Sequence, residues 1–143
     1  MKKSESHRGE TGRAARLPTP LRVAMQAAFD KKAQHVAVLD LRASSAFTDF
    51  FVICTGGTAR QVKAIVEAVE DALRKVGERP SHIEGGEGAE WVLMDYFDFI
   101  VHVFTPDLRA FYALERLWGA AEHLDEITEA DLVEPHERSS AQR

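Results

Sequence analysis

Apolar residues between positions 58 and 77 recur at intervals of three and four residues, which is the period of one face of an α-helix. They are Val62, Ile65, Val66, Val69, Ala72, Leu73 and Val76. Thr58 and Gln61 have the types and spacing of an N-terminal capping box, and Gly77 stands where a helix commonly ends. The pattern therefore predicts an amphipathic helix that begins after Thr58 and ends near Gly77.

Two further helices are predicted from their start signals. Thr19-Pro20 has the residue types of an N-cap and a first helical position, and this helix should reach about Lys32. Thr105-Pro106-Asp107 begins the other, which should reach about Ala121. Its apolar side chains span an arc of about 220°, whereas one buried stripe needs little more than 100°. That helix is predicted to lie deep in the core or to contact two surfaces.

Five segments have the apolar, β-branched and aromatic content of strands. They cover residues 36–41, 50–54, 81–84, 91–96 and 98–104. The second is apolar at every position, which is typical of a strand buried on both faces. The last two adjoin through a tight turn and predict a hairpin. Together the elements predict an α/β (α+β) fold, with a mixed β-sheet of about five strands and flanking helices.

The predicted domain covers residues 19–121, with a segment of different composition on either side. Residues 1–18 are basic and poor in apolar side chains, and we predict that they are disordered. Residues 122–143 are acidic and contain Pro135. For these we predict a short helical extension followed by a mostly disordered tail.

Composition narrows the cellular setting. Cys54 is the single cysteine of the 143 residues, which argues against an internal disulfide or a thiolate metal cluster. No apolar run approaches the roughly 18–20 residues of a membrane span, and the basic N-terminus lacks the apolar stretch of a secretory signal. These features predict a cytoplasmic protein without a membrane partner, or a protein of an organelle matrix.

The charge distribution narrows the class of partner. The chain has a net charge of -5, and residues 19–121 are mildly acidic. A protein that grips a phosphate backbone needs a concentrated basic surface, which is not visible in this segment. A basic protein is the predicted partner, with little direct contact to nucleic acid.

Nucleotide chemistry is one alternative. Gly56-Gly57-Thr58 lies between a buried strand and a helix N-terminus, where anions can bind, but it matches no dinucleotide or P-loop motif. A nucleotidyltransferase would also need paired carboxylates on the following strand to hold magnesium. That strand offers Glu84 alone, while Asp95 and Asp98 flank the hairpin turn and are predicted turn formers. We therefore predict no enzyme activity, cofactor or metal.

Isolated titratable groups receive mostly structural interpretations. His102 and Cys54 lie inside apolar strands and predict a satisfied buried histidine and an inert thiol. Glu115 falls among aromatic residues of the third helix, where a carboxylate needs a partner. A buried pair with His102 or an arginine and a contact with another protein both remain open for Glu115.

Exposed aromatic residues could form an anchor for a protein partner, because tryptophan and tyrosine often dominate interface energetics. Trp91 follows a flexible polar approach, and Tyr96 ends the same predicted strand. Tyr112 and Trp118 lie on the third helix. The alternative interpretation of all four side chains is ordinary core packing.

Four segments resemble one known family. They are Asp49–Gly56 followed by Thr58–Val62, Glu84-Gly85 followed by Glu90–Tyr96, Asp98–Phe104, and Arg109–Trp118, whose pattern is R-x-x-Y-x-L-E-x-L-W. In this order they resemble the signatures of the Iojap/RsfS ribosomal silencing factors, over roughly residues 20 to 121. One departure is Phe97, where glycine is common in the hairpin turn.

The resemblance implies a nucleotidyltransferase-like topology without catalytic carboxylates. It implies binding to a protein of the large ribosomal subunit, the fourteenth of the L series, at the face that meets the small subunit. Occupying that face would block subunit joining and lower translation during starvation, although a role in large-subunit assembly is the alternative. Homodimers off the ribosome are also implied.

The resemblance further implies that Trp91 contacts the partner, and we place it in a larger set of predicted partner-binding residues. The full predicted set is Glu84, Trp91, Asp95, His102, Arg109, Tyr112, Glu115 and Trp118.

Overall fold

A mixed six-stranded sheet forms the centre of the molecule. The computed structural model describes residues 12–44, 46–86, 88–112 and 122–133. The strands are β1 (Gln34–Asp40), β2 (Phe50–Thr55), β3 (His82–Glu84), β4 (Trp91–Asp95), β5 (Phe99–Phe104) and β6 (Glu122–Ile127). The helices are α1 (Thr19–Asp30), α2 (Ala59–Lys75) and α3 (Pro106–Tyr112), with a 3₁₀ helix at Glu129–Leu132. The strand order is β3-β4-β5-β2-β1-β6.

The two central strands, β2 and β5, are parallel and buried at every position. Every other neighbouring pair is antiparallel. Apolar side chains at successive positions suit strands whose two faces are both covered. The predicted fold class, a mixed sheet with flanking helices, is confirmed, and the sheet has six strands where about five were expected.

Helices α1 and α2 cover one face of the sheet. Four residues of the predicted apolar stripe of α2 are fully buried, namely Val62, Ile65, Val69 and Leu73. Val66 and Ala72 are partly buried, and Val76 at the end of the helix is 48% exposed. Thr58 accepts the hydrogen bond from the backbone N–H of Gln61 at 3.1 Å, as the predicted capping box requires. The reciprocal bond differs, because the Gln61 side chain accepts from Gly57 N and not from Thr58 N. We call this side of the sheet the helix-covered face.

The opposite side carries a second apolar cluster, and we call it the second face. Its buried members are Leu39, Leu41, Phe51, Ile53, Ile100 and Phe104. Leu108 of α3 packs against this cluster, so the third helix lies on the second face as far as it is described. Its predicted continuation to Ala121 lies outside the described residues. No helix in the described ranges is long and apolar enough to cross a membrane.

The C-terminal segment corrects one prediction. Residues 122–127 form strand β6 along β1, where a helical extension leading into a disordered tail was predicted. Leu124 and Ile127 are buried although they lie three residues apart, a spacing that does not fit strand alternation. Three steps in β6 oppose two in β1, from Val36 to Val38, so a β-bulge turns both side chains inward.

The N-terminal segment corrects another prediction. Residues 12–15 are helical, and Ala14, Ala15 and Leu17 are buried, whereas disorder was predicted up to residue 18. Arg13 also forms an ion pair with Glu122 at the start of β6. The small apolar set is too short to show a helical period in the sequence. Residues 1–11 and 134–143, also predicted to be disordered, lie outside the described residues.

Candidate protein-binding face

Four side chains on the second face form a partly exposed surface at one edge of the sheet. Trp91, Leu93 and Asp95 alternate along β4 and therefore point to the same side. Glu84 of the edge strand β3 lies directly opposite Leu93 and shares that side. We call these four residues the Trp91 face. The structure thus brings together three of the predicted partner-binding residues.

Trp91 is half-buried, and its ring is held on its inner side. It stacks on Phe104 with 5.1 Å between ring centroids and on His102 at 6.0 Å. The indole N–H donates a hydrogen bond to Nδ1 of His102 at 3.2 Å. The core of the second face therefore uses part of this ring. These contacts hold the ring in a fixed orientation while Trp91 remains partly exposed.

His102 lies on the inner side of Trp91 and is buried. It is only 3% exposed, so the prediction that it touches a partner is corrected to a positioning role. Burial lowers the pKa of its imidazole from 6.5 to about 4, and the ring is neutral at pH 7. Because the indole can only donate, Nδ1 accepts and the proton resides on Nε2. Nε2 is buried without a hydrogen-bond partner among the described residues.

The two carboxylates give the Trp91 face a negative charge. Glu84 is exposed, and its Oε1 lies 3.1 Å from Nε2 of His82. Asp95 accepts a hydrogen bond from the backbone N–H of Phe97 at 2.8 Å, which confirms its predicted part in the hairpin turn. Neither carboxylate forms an ion pair with a lysine or arginine in the part of the chain that the structure describes.

The predicted residues of the third helix separate into two groups. Arg109 donates hydrogen bonds to the carbonyl of His35 and, at 2.9 Å, to Oγ1 of Thr55. It therefore ties α3 to β1 and β2. Tyr112 is the last described residue of α3, and its side chain is not described. Glu115 and Trp118 lie outside the described residues, as does the predicted pairing of Glu115 with His102.

Sequence reasoning missed Leu93 and left two interpretations open for Tyr96. Leu93 is partly buried between Glu84 and His102 in the sheet register. Its position two residues after Trp91 was the available signal, since residues i and i+2 share a face. Tyr96 is buried on the helix-covered face and stacks on Phe99 at 5.0 Å, so it belongs to the core.

The turn between β2 and α2 is occupied by the protein's own side chains. Gly57 N donates to Oε1 of Gln61 at 2.7 Å. The amide nitrogen of Gln61 then donates to the carbonyls of Lys31 and Lys32 at the end of α1. The backbone N–H of Gly57, which a bound phosphate would need as a donor, is thus already hydrogen-bonded within the protein. Nearby Cys54 is buried, and burial raises the pKa of its thiol to about 12, so it is inert as predicted.

Comparison with known proteins places this sequence among the ribosomal silencing factors. Residues 14–143 match the family model RsfS, described as ribosomal silencing factor during starvation. The ribosomal silencing factor RsfS of Halalkalibacterium halodurans is 44% identical over 101 residues, which is 71% of this chain and 86% of the relative. The mouse mitochondrial assembly of ribosomal large subunit protein 1 is 26% identical, over 69% of this chain and 45% of the relative.

A solved structure has a similar fold and sequence. The crystal structure of a Chromobacterium violaceum protein matches with a TM-score of 0.65 and 36% identity, over 68% of this chain and 81% of the other. The fold and the Trp91 face define a small α/β protein with an acidic, aromatic surface at one sheet edge. The chain belongs to the RsfS family of ribosomal silencing factors.

Proposed function

We propose that this protein lowers translation during starvation by binding the large ribosomal subunit through the Trp91 face. The half-buried indole, fixed by His102 and flanked by Glu84 and Asp95, is the observation that carries the proposal. A rigid aromatic ring loses little conformational freedom on binding, which is why tryptophan is frequent among interface hot spots. Membership of the silencing-factor family supports the same role.

The partner we propose is the fourteenth protein of the large-subunit L series, at the face that meets the small subunit. Two carboxylates without a lysine or arginine partner in the described ranges favour a basic protein surface, and they disfavour phosphate. A domain seated at that face would exclude the small subunit by its volume. No chemical step is needed, so the proposed activity requires neither a cofactor nor a metal.

The proposed residues contribute in different ways. Trp91 and Leu93 would bury apolar area, while Glu84 and Asp95 would steer a basic partner into position. His102 holds the indole, and Arg109 holds α3 against the sheet. We propose further contacts from the third helix. These would come from Tyr112, Glu115 and Trp118.

The proposal is tested by measuring binding of purified variants to the purified ribosomal protein and to isolated large subunits. Trp91→Ala should weaken binding by roughly 30- to 1,000-fold, because a hot-spot tryptophan contributes about 2–4 kcal/mol. Since this ring also packs on Phe104, the thermal transition of each variant is measured alongside. A folded Trp91→Ala variant that binds normally would contradict the proposal.

A charge variant avoids the packing problem. Glu84→Gln with Asp95→Asn keeps the size of both side chains, and the asparagine oxygen can still accept from Phe97 N. We expect slower association and a weaker dependence of the association rate on salt. Glu67→Gln with Asp125→Asn makes the same charge change at two exposed positions elsewhere and serves as the matched control. Equal effects of the two pairs would show that only net charge matters.

A role in assembly of the large subunit is the second candidate, and the printed name of the mouse relative favours it. Sucrose gradients of cells that lack the protein separate the two roles. Silencing predicts normal large subunits and excess translation during starvation, whereas assembly predicts accumulated large-subunit precursors during growth. The same gradients of wild-type extract, with sedimentation of the purified protein, test the proposed homodimer off the ribosome.

A further inference from the structure

Two phenylalanines at the other end of β4 are almost fully exposed. Phe47 is 76% exposed and Phe97 is 78% exposed. Phe47 lies in the loop between β1 and β2, and Phe97 lies in the turn between β4 and β5. Water contact with whole aromatic rings is unfavourable, so exposed rings on neighbouring loops can indicate an interaction site.

The protein holds the two loops together with hydrogen bonds. Oγ1 of the buried Thr48 donates to the carbonyl of Phe97 at 2.9 Å. The backbone N–H of Asp49 donates to the carbonyl of Asp98 at 3.0 Å. Phe47 therefore sits one residue from a side chain that is bonded to Phe97. Their backbones are fixed relative to one another, which reduces the entropy lost when a partner binds.

Phe97 occupies a backbone conformation that folding alone would give to glycine. Its φ is 76°, in the left-handed region where a bulky side chain is a genuine outlier. The exposed ring adds little core packing that could offset this strain. Strain that brings no packing gain indicates a requirement of function.

The rim of this surface is acidic. Asp49 and Asp98 are both exposed and adjoin the two phenylalanines in sequence. Within the described ranges neither aspartate forms an ion pair. Arg42 is paired with Asp40 and also interacts electrostatically with Asp49, so Asp98 is the more available carboxylate. Carboxylates repel a phosphate backbone and attract ammonium or guanidinium groups. Cations also bind the faces of exposed aromatic rings.

We propose that Phe47, Phe97, Asp49 and Asp98 form a docking surface for a protein segment that alternates lysine or arginine with apolar residues. The apolar side chains would cover the two rings, and the cations would pair with the aspartates. This surface adjoins the Trp91 face at Asp95, whose side chain accepts a hydrogen bond from Phe97 N. Trp91 itself lies at the opposite end of the five-residue strand β4, which is about 13 Å long. The surface would therefore bind a basic segment beside the proposed ribosomal contact.

The test uses two labelled peptides of twelve residues, one a repeat of lysine, leucine and glycine and the other with glutamate for lysine. Fluorescence anisotropy with the full chain should show binding of the lysine peptide at least tenfold tighter than the glutamate peptide. In amide NMR spectra the shifts caused by the lysine peptide should cluster at residues 46–49 and 96–98. Shifts spread over the whole acidic surface, or centred on Trp91 and Leu93, would overturn the proposal.

Three variants make the outcome specific. Phe97→Gly should weaken binding at least tenfold while melting at the same or a higher temperature, because glycine accepts the φ of 76°. Asp49→Asn with Asp98→Asn should weaken binding about threefold to tenfold. Glu67→Gln with Asp125→Asn should change it less than twofold. Unchanged binding of the Phe97 variant would overturn the proposal, as would self-association in sedimentation that disappears in that variant, since the occupant would then be a second copy.

Discussion

The central part of the chain and its two terminal segments reach the same depth of burial by different sequence patterns. In residues 19–109, burial follows the usual patterns, as the stripe of α2, the alternation of β4 and the continuous burial of β5 illustrate. In β6, Leu124 is almost as buried as Val38 of β1, although three of the six residues of the strand are acidic. Its two inward residues are three apart.

The comparison teaches that a bulge can hide a strand from pattern analysis. The extra residue in β6 moves Ile127 back to the inward side, and the residue beside it, Glu126, has a positive φ of 50°. Strand β1 has a second irregularity near His35, whose φ is 51°. The Nδ1 atom of His35 lies 3.0 Å from Oε1 of Glu126. Contacts of this kind between β1 and β6 leave no periodic pattern in the sequence.

Removing β6 should have the largest effect and decides whether the terminal region is part of the fold. A chain that ends at residue 121 loses the burial of Leu124, Ile127 and Leu132. At about 1.5–3 kcal/mol each, this approaches the whole stability of a typical domain, about 5–15 kcal/mol. We expect no cooperative thermal transition by circular dichroism.

The matched control for this truncation is a chain that ends at Val133. It lacks only residues outside the described part and should melt near the temperature of the full chain. If the shorter chain, ending at residue 121, also melts normally, the terminal region does not contribute to the fold and the comparison fails.

Acid should weaken the central region through His102. The unfolded imidazole has a pKa near 6.5 and the folded one near 4, so the unfolded state binds the proton more readily between these values. Stability from this group is complete above pH 6.5 and is lost as the pH falls toward 4. The loss between pH 7 and pH 5 should be about 2 kcal/mol, at 1.36 kcal/mol for each pKa unit.

Urea unfolding of wild type and of His102→Asn at both pH values measures this loss. Asparagine can still accept from the Trp91 indole but does not titrate in this range. The pKa of Asp40 is lowered by its bond to Arg42, so its own contribution is lost only below this window. Parallel pH dependence in the two proteins would show that His102 is not the sensitive group.

Deleting residues 1–17 should have an effect close to that of acid and much smaller than that of removing β6. The deletion removes the burial of Leu17 and of two alanines, which we expect to cost about 2 kcal/mol. It also breaks the exposed pair between Arg13 and Glu122, which adds at most about 1 kcal/mol. The midpoint of urea unfolding measures the loss, and deletion of residues 1–11 is the control. Equal midpoints for both deletions would place residues 12–17 outside the folded unit.

Most of the fold could be predicted because its central elements obey local rules. The stripe of α2 and the continuous burial of β2 follow from period and composition alone. The Trp91 face followed only in part, because register, and not sequence, sets Glu84 beside Leu93. The strained backbone of Phe97 was visible as a departure from glycine, while its exposure depends on how the neighbouring loop packs.

The two outer strands bear on how this protein behaves when concentrated. Open strand edges can recruit strands from other chains and begin fibril growth. Here β3 has only three residues, two of them exposed, and β6 combines a bulge with Glu122, Asp125 and Glu126. Shortness, charge and bulges all hinder such recruitment. The same irregularity that concealed β6 from pattern analysis protects the protein against edge-to-edge aggregation.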